Sequence, residues 1–273
     1  RGRPGVRSLG VEVNFAEVMG QVHRAIATIE PKDSAERYEG LGVKVLKGSA
    51  TLVDPWTVEV NGTRRTARAI ILATGGEPLV TPKFDYLFPR IMDLGLEDVS
   101  LTTNGQLLGP KVPLLVASGL KRINISLDTL DPKAFRPLAR GGDLATVLAA
   151  IDACLEAGLK VKLNMAPVRS SNRSQIKPLL RYALDRGMEL RYIELMRMGH
   201  LSHSVAFDRD FIGMEEILAL IGEHHSFERT EAPFDSTARR FAVAGGGFFG
   251  IIPNESEPFC SSCTRLRLSS EGD

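Results

Sequence analysis

Cys260-Ser261-Ser262-Cys263 has the spacing with which two thiolates hold one metal ion or one iron–sulfur cluster. A redox pair normally opens a helix, whereas this pair runs into Thr264-Arg265-Leu266-Arg267-Leu268. That alternation of cationic and apolar residues predicts a strand with Arg265 and Arg267 on one face. Two guanidiniums beside a metal-binding pair suit an anionic ligand such as a triphosphate. A solvated strand face is the plainer alternative.

A second group of residues with chemistry to offer recurs at the ends of apolar runs. Val99-Ser100-Leu101 leads into Thr102, Thr103 and Asn104, and Ile123-Asn124-Ile125 into Ser126 and Asp128. The run Val161 to Leu163 carries Lys162 and Asn164, and Tyr192-Ile193 ends at Glu194 and Met196. Any one of these is a helix cap or a turn residue by default. Four strand ends carrying them predict a shared site, because parallel α/β folds gather ligands at the carboxyl ends of their strands. Gly75-Gly76-Glu77-Pro78 follows the apolar Ala69 to Ala73, where paired glycines let the backbone pass close to a ligand.

The elements that must position these groups fall into two textures. Residues 15–41 have helical spacing in Val18, Val22, Ile26 and Ile29, with Pro31 bending or splitting the helix. Short strands are expected at Val43 to Leu46, Thr51 to Val53, Thr57 to Val60 and Arg64 to Ala73, with Asn61-Gly62 as a hairpin turn. After Thr74 strands alternate with helices. Strands are expected at Asp98 to Leu101, Arg122 to Ser126, Lys160 to Asn164 and Glu189 to Glu194. Helices are expected at Lys83 to Leu94, Leu107 to Ser118, Leu144 to Ala157, Ser174 to Arg186 and Met214 to Glu223. Asp131-Pro132 and Asp143 read as helix starts; Gly95, Gly119, Gly158 and Gly187 read as helix ends. This rhythm predicts an α/β fold with a parallel sheet. Arg239 to Val243 and Phe248 to Ile252 read as a hairpin across Gly245-Gly246-Gly247.

With 273 residues, 43% hydrophobic and 25% charged, the chain is long enough for one large domain or two small ones. A formal net charge of +1 supplies no field for nucleic acid or a membrane surface, so neither is expected as a partner. Three cysteines do not make a disulfide framework, which favours a reducing, cytoplasmic compartment. No apolar run approaches a membrane-spanning length. Gly245, Gly247 and Gly250 match the spacing of a dinucleotide loop, but Pro253 interrupts and a hairpin turn is the better reading. His200 and His203 read as loop residues, and Cys154 as a small core residue.

The ordered series Gly75-Gly76-Glu77-Pro78, Thr102-Thr103-Asn104-Gly105, Ser126-Leu127-Asp128, Lys162-Leu163-Asn164, Glu194-Leu195-Met196 and Pro258 to Leu268 resembles the radical-SAM GTP 3′,8-cyclases of molybdenum-cofactor synthesis. The resemblance implies an incomplete parallel (βα)6 TIM-like barrel with a C-terminal β extension, 4Fe–4S clusters, S-adenosylmethionine as cofactor and GTP as substrate. Carried over by position, Gly75, Gly76, Ser126 and Met196 would contact S-adenosylmethionine. Thr102, Lys162, Arg191, Arg265 and Arg267 would contact GTP, and Cys260 and Cys263 would ligate the second cluster. A homodimer is among the assemblies the resemblance allows. The family's Cys-x3-Cys-x2-Cys loop should precede Gly75, and residues 1–73 contain no cysteine. Leu72 stands where the family has an arginine. The second cluster's third ligand is expected beyond Asp273, so the chain reads as a fragment.

Residues 15–74 resemble instead an FAD-dependent pyridine-nucleotide disulfide oxidoreductase, through Ile29-Glu30-Pro31-Lys32-Asp33-Ser34, Pro55 to Val60 and Ala73-Thr74-Gly75. Its nucleotide-binding glycine loop and redox cysteines are missing, so FAD binding is not expected. Residues 1–73 are therefore expected to be one piece and residues 74–273 another. The join is expected to mark a recombinant or misassembled gene, with a functional fusion as the alternative. The leading expectation is a radical-SAM cyclase that is inactive as it stands, with no radical-generating residue among its catalytic groups. A flavin oxidoreductase fragment and a non-catalytic nucleotide-binding module are the alternatives. Arg68 to Ala73 is expected to fill the place of the missing first barrel strand, parallel to Asp98 to Leu101, with helix Lys83 to Leu94 crossing right-handed between them.

Overall fold

The computed structural model describes residues 39, 44–46, 48, 50–54, 56–66, 69–72, 76–197, 205–231, 236–258 and 265–268. The helix expected over residues 15–41 lies outside them, apart from Glu39, as do Cys260, Cys263, His200, His203 and Gly75.

The chain first builds a three-stranded antiparallel meander: β1 (Ala50–Asp54), β2 (Thr57–Val60) and β3 (Thr63–Thr66). Asn61 and Gly62 close the β2–β3 hairpin with φ of 50° and 75°. Positive φ at both central residues is what a turn needs to follow the strand twist, and Asn-Gly tolerates it. Lys44 to Leu46 form no strand. The run from Arg64 to Ala73, expected to be one strand, is two: β3 and β4 (Ala69–Leu72) lie in different sheets. The division follows composition. Arg64 stays on the exposed meander, its Nε donating to Glu59 at 3.2 Å, while Ala-Ile-Ile-Leu goes to a parallel ladder.

That ladder corrects the expectation for the join. β4 pairs with β12 (Arg265–Leu268), in the register Arg265↔Ala69 to Leu268↔Leu72, and not with the strand after it in sequence. An apolar run records that a strand is buried but not which edge it joins, since parallel neighbours are chosen by tertiary packing.

The main sheet has seven strands, ordered β5-β6-β7-β8-β11-β10-β9. β5 (Ser100–Thr103), β6 (Arg122–Ser126), β7 (Lys160–Met165) and β8 (Glu189–Ile193) are parallel and adjacent in chain order. The next parallel strand, β11 (Phe248–Ile252), is the second arm of the predicted hairpin with β10 (Arg239–Val243), not the product of another β-α unit. β9 (Phe227–Thr230), which the sequence reading omitted, pairs antiparallel at the outer edge. β5 begins two residues later than expected, at the ladder Ser100↔Arg122; Asp98 stays outside it and holds the Arg122 guanidinium through two 2.7 Å contacts.

Between the strands lie α1 (Phe84–Met92), α2 (Val112–Ala117), α3 (Pro132–Leu138), α4 (Leu144–Glu156) and α5 (Ile176–Asp185), with α6 (Val205–Asp210) and α7 (Met214–Gly222) after β8. The single helix expected from Leu107 to Ser118 is a 3-10 turn, Gly109–Lys111, followed by α2. Pro110 and Pro113 lack the N–H groups that a continuous helix would need beyond its first turn. Asp131 and Asp143 cap α3 and α4 as read, their carboxylates accepting from Lys133 N at 2.9 Å and Thr146 N at 2.8 Å. Gly95, Gly119, Gly158 and Gly187 all take positive φ just past the helices they end.

One sheet face is apolar. Ile123, Ile125, Val161, Leu163, Leu190 and Tyr192 are buried in the same core as Val147 and Ile151 of α4 and Leu179 and Leu180 of α5. Strand alternation puts their chain neighbours on the opposite face. Two buried polar groups secure this packing. The Tyr192 hydroxyl donates to the Ile176 carbonyl at 2.7 Å, tying β8 to the start of α5. Glu194, 1% exposed, accepts from the backbone N–H of Met214 at 2.7 Å and from those of Glu255 and Ser256 at 2.9 Å each, and from the Ser256 hydroxyl. The end of β8, the start of α7 and the segment after β11 thus meet on one carboxylate.

Both groups make predictions. Glu194→Gln turns one acceptor oxygen into a donor facing donors, and should cost about 2 kcal/mol in urea unfolding; an unchanged midpoint would remove the clamp from this account. Burial raises the Tyr192 hydroxyl well above its ordinary value. Its folded value therefore exceeds its unfolded one, so its contribution is complete below about pH 10 and is lost as pH rises beyond. Tyr192→Phe should lower stability by about 1 kcal/mol at neutral pH and flatten the loss above pH 10, read from unfolding midpoints against pH.

Candidate functional site

The opposite face of the sheet carries two rows of polar residues. Parallel register sets Thr102 beside Asn124, Asn124 beside Lys162 and Lys162 beside Glu189. One step further along the strands, Ser126 lies beside Asn164, Asn164 beside Arg191 and Arg191 beside Gly250. Thr102, Lys162, Arg191 and Ser126, four of the residues singled out in the sequence, therefore share one face.

Their side chains form a connected network. Arg191 donates from Nε to Asn164 Oδ1 at 2.9 Å and from Nη2 to Asn124 Oδ1 at 2.8 Å. Asn124 donates in turn from Nδ2 to Thr102 Oγ1 at 3.1 Å. Lys162 Nζ lies 3.2 Å from Glu189 Oε1, and Arg240 Nη2 3.4 Å from Glu189 Oε2. The Arg240 guanidinium also stacks on the Phe248 ring, 3.6 Å from its centroid. Among the described residues, Lys162, Arg191 and Arg240 cluster here around Glu189, a donor-rich arrangement suited to an anion. Gly250 leaves room for this arrangement: a Cβ there would meet Arg191 Cγ at 3.4 Å and Ala238 Cβ at 3.3 Å.

Around the strand ends, Glu77 fastens the turn after Gly76 to the end of β5. Its carboxylate accepts from the Thr103 hydroxyl and the Asn104 N–H, both at 2.6 Å, and from Leu79 N at 3.2 Å. Gly76 has φ of 144°. Ser126 is exposed at the end of β6 and lines a small pocket with Asn104, Gln106, Asp128, Thr129 and Phe135. Asp128 accepts from Ala166 N at 2.8 Å, yet burial holds its carboxyl above its ordinary value. Met196 lies just past β8 and is 46% exposed. Arg265 and Arg267 lie in β12.

Cys154 is fully buried in α4, and burial pushes its thiol up to about 11, so it is a core residue as expected. Among the described residues no group of three His, Cys, Asp or Glu could hold a metal ion. No helix among them is long and apolar enough to cross a membrane. Gly245 to Gly247 form the β10–β11 turn, as the hairpin reading had it.

The sequence reading passed over Asn124, Glu189, Arg240 and Gly250 as site residues. Asn124 carried a signal, a carboxamide between two isoleucines in Arg-Ile-Asn-Ile-Ser. The other three carried none, because their roles depend on which strands become neighbours.

The raised carboxyl of Asp128 gives a third prediction. A folded value above the unfolded one means that the ionised form is penalised by folding, so stability falls as pH rises through this group's titration. Asp128→Asn keeps the acceptor for Ala166 and removes the ionisation. It should be at least as stable as the parent at pH 7 and show a weaker decline between pH 4 and 7 in thermal unfolding.

Residues 57–183 match the Radical SAM superfamily, and residues 188–273 match Molybdenum Cofactor Synthesis C. Among curated relatives, a GTP 3′,8-cyclase of Synechocystis sp. is 36% identical over 199 residues, covering 73% of this chain and 60% of its own length. Those of Rhizobium leguminosarum bv. trifolii and Rhizobium meliloti are 38% and 40% identical over 208 residues, covering 74% and 73% of this chain and 59% and 58% of theirs. The chain spans about 60% of the length of the relatives it matches. The Radical SAM match begins at Thr57, inside the stretch whose flavoenzyme resemblance no comparison supports. With a segment matching the Radical SAM superfamily followed by one matching Molybdenum Cofactor Synthesis C, this chain is similar over about three quarters of its length to the GTP 3′,8-cyclases.

Proposed function

We propose that this chain is a GTP 3′,8-cyclase-like protein of molybdenum-cofactor biosynthesis, which binds GTP on the polar face of its sheet and S-adenosylmethionine at the strand ends. The observation that carries the reading is the network Thr102–Asn124–Arg191–Asn164 with Lys162 beside it, cationic and fixed, on the face opposite the core. Guanidinium and ammonium donors are the groups that hold a triphosphate. In this reading Thr102, Lys162 and Arg191, with Arg265 and Arg267, meet GTP. Gly75, Gly76, Ser126 and Met196 meet S-adenosylmethionine. Residues 74–273 are the incomplete (βα)6 barrel with its C-terminal extension, and residues 1–73 are a separate piece. The separate sheet of β1, β2 and β3 supports setting the meander apart, while β4 pairs across the division with β12. A cytoplasmic location and a homodimer go with the reading.

Radical SAM proteins use a 4Fe–4S cluster and S-adenosylmethionine, and when bound the cluster supplies the electron that generates the radical. Three protein thiolates and one open iron are needed for that cluster. The sequence has three cysteines, and Cys154 is a buried thiol in the core rather than a thiolate at the strand ends. The residues present do not fit the radical-generating cluster. Cys260 and Cys263 remain as ligands for a second cluster or for zinc. What this chain's own residues do is bind and orient. Arg191 and Lys162 neutralise phosphate charge, Glu189 bridges Lys162 and Arg240, and Glu77 holds the strand-end loops in place.

Calorimetric titration of the purified chain with GTP tests the binding reading. Lys162→Ala should weaken GTP about tenfold, roughly 1.4 kcal/mol, while Arg240 keeps Glu189 paired and the fold intact. Equal affinity in parent and variant would remove Lys162 from the site. For the chemistry, the chain reconstituted with iron and sulfide and given dithionite and S-adenosylmethionine should yield no 5′-deoxyadenosine above a cluster-free control. Product above that control would overturn the inactive reading.

A further inference from the structure

We propose that Asn124 is a positioning residue: it fixes the Arg191 guanidinium and orients the Thr102 hydroxyl so that its proton points to the ligand. The proposal rests on the reading of this face as the GTP site and goes beyond it by assigning which atom donates to which.

The argument is one of hydrogen-bond polarity. A guanidinium has donors only, so the Asn124 atom 2.8 Å from Arg191 Nη2 must be the carbonyl oxygen Oδ1. That orientation leaves Nδ2 facing Thr102 Oγ1 at 3.1 Å, and an amide nitrogen can only donate. Thr102 Oγ1 is therefore an acceptor in this bond, and its hydroxyl hydrogen is directed elsewhere. Thr102 is exposed on the polar face, so the hydrogen is offered to whatever binds there. Asn124 itself is 6% exposed, and burial leaves its carboxamide no room to exchange partners with water. The second anchor, Asn164 Oδ1 to Arg191 Nε at 2.9 Å, stops the guanidinium from rotating out of line. A charge at Arg191 thus reaches Thr102 through one carboxamide. The product is a donor pair, a hydroxyl on β5 and a guanidinium reaching over from β8, bridged by the Asn124 carboxamide and matched to a ligand rich in acceptors such as a phosphate.

Asn124→Asp is the decisive variant, because it keeps the shape and reverses the polarity toward Thr102: the carboxylate accepts from the hydroxyl and withdraws its proton from the ligand. GTP affinity, measured by titration calorimetry, should fall at least tenfold. Thr102→Val should lose a similar factor and Thr102→Ser should regain it. In the double variant the two losses should combine to at least fivefold less than their product, since both remove the same donor; a simple product of independent losses would overturn the proposal. Should Asn124→Asp fail to fold, exposed Thr102 still decides: parent-like GTP affinity in Thr102→Val also overturns it. The arm that does not depend on GTP follows, by nuclear magnetic resonance, the Arg191 Nη2–H proton that Asn124 accepts. Its exchange with water should be slow in the parent and accelerate severalfold in Asn124→Ala. If the parent binds no GTP, the functional reading fails, and this exchange measurement alone judges the positioning role; unchanged exchange would refute it.

Discussion

The polar face of the sheet depends on how one guanidinium is held. Arg191 lies on β8, yet it is fixed by carboxamides from β6 and β7, so three strands must stand in register before it has a place. A shift of one residue in any of them would carry Asn124, Asn164 or Arg191 to the apolar face and bury an unpaired polar group there. The network therefore reports the register as much as it uses it. Gly250, on the far side of Arg191, contributes by having no side chain where the arginine stem passes.

The two matched segments meet in this network. Thr102, Asn124, Lys162 and Asn164 come from the Radical SAM segment, whereas Glu189, Arg191, Arg240 and Gly250 come from the Molybdenum Cofactor Synthesis C segment. Neither segment alone contains the guanidinium and the carboxamides that hold it. The junction is also where the core is secured, because Glu194 gathers the end of β8, the start of α7 and the turn after β11. A buried carboxylate with each lone pair committed resists small displacements, since any movement leaves a charge without its donors. The rigid apolar side thus supports a polar side whose geometry is set in advance, and preorganised donors lower the cost of binding an anion.

Two of the cations on this face share one carboxylate. Glu189 stands between Lys162 and Arg240, so the cations are close together without facing one another. An incoming phosphate would compete with Glu189 for Lys162, whereas Arg191 is anchored by the carboxamides of Asn124 and Asn164. That difference gives the two cations different parts. One is shared and can exchange partners, and the other is stationary.

Local chemistry was legible in the sequence wherever a residue's role depends on its near neighbours. Asn61-Gly62 makes its hairpin because only such residues accept the backbone angles of that turn. Asp131 and Asp143 cap their helices, and Arg122 to Ser126 forms the strand its alternation implied. Within each strand the same period of two sets Lys162 opposite Val161 and Leu163, and Arg191 opposite Leu190 and Tyr192. Pairing itself was not legible. Ala-Ile-Ile-Leu at residues 69–72 reads as a buried strand whatever lies beside it, and only the folded chain set it against Arg265 to Leu268 rather than against Ser100 to Thr103. For the same reason Glu189, Arg240 and Gly250 could not be found as site residues. Periodicity along one chain decides which way a side chain points, because that follows from backbone geometry. What it meets there depends on strands tens of residues away, and that is decided only when the whole sheet packs.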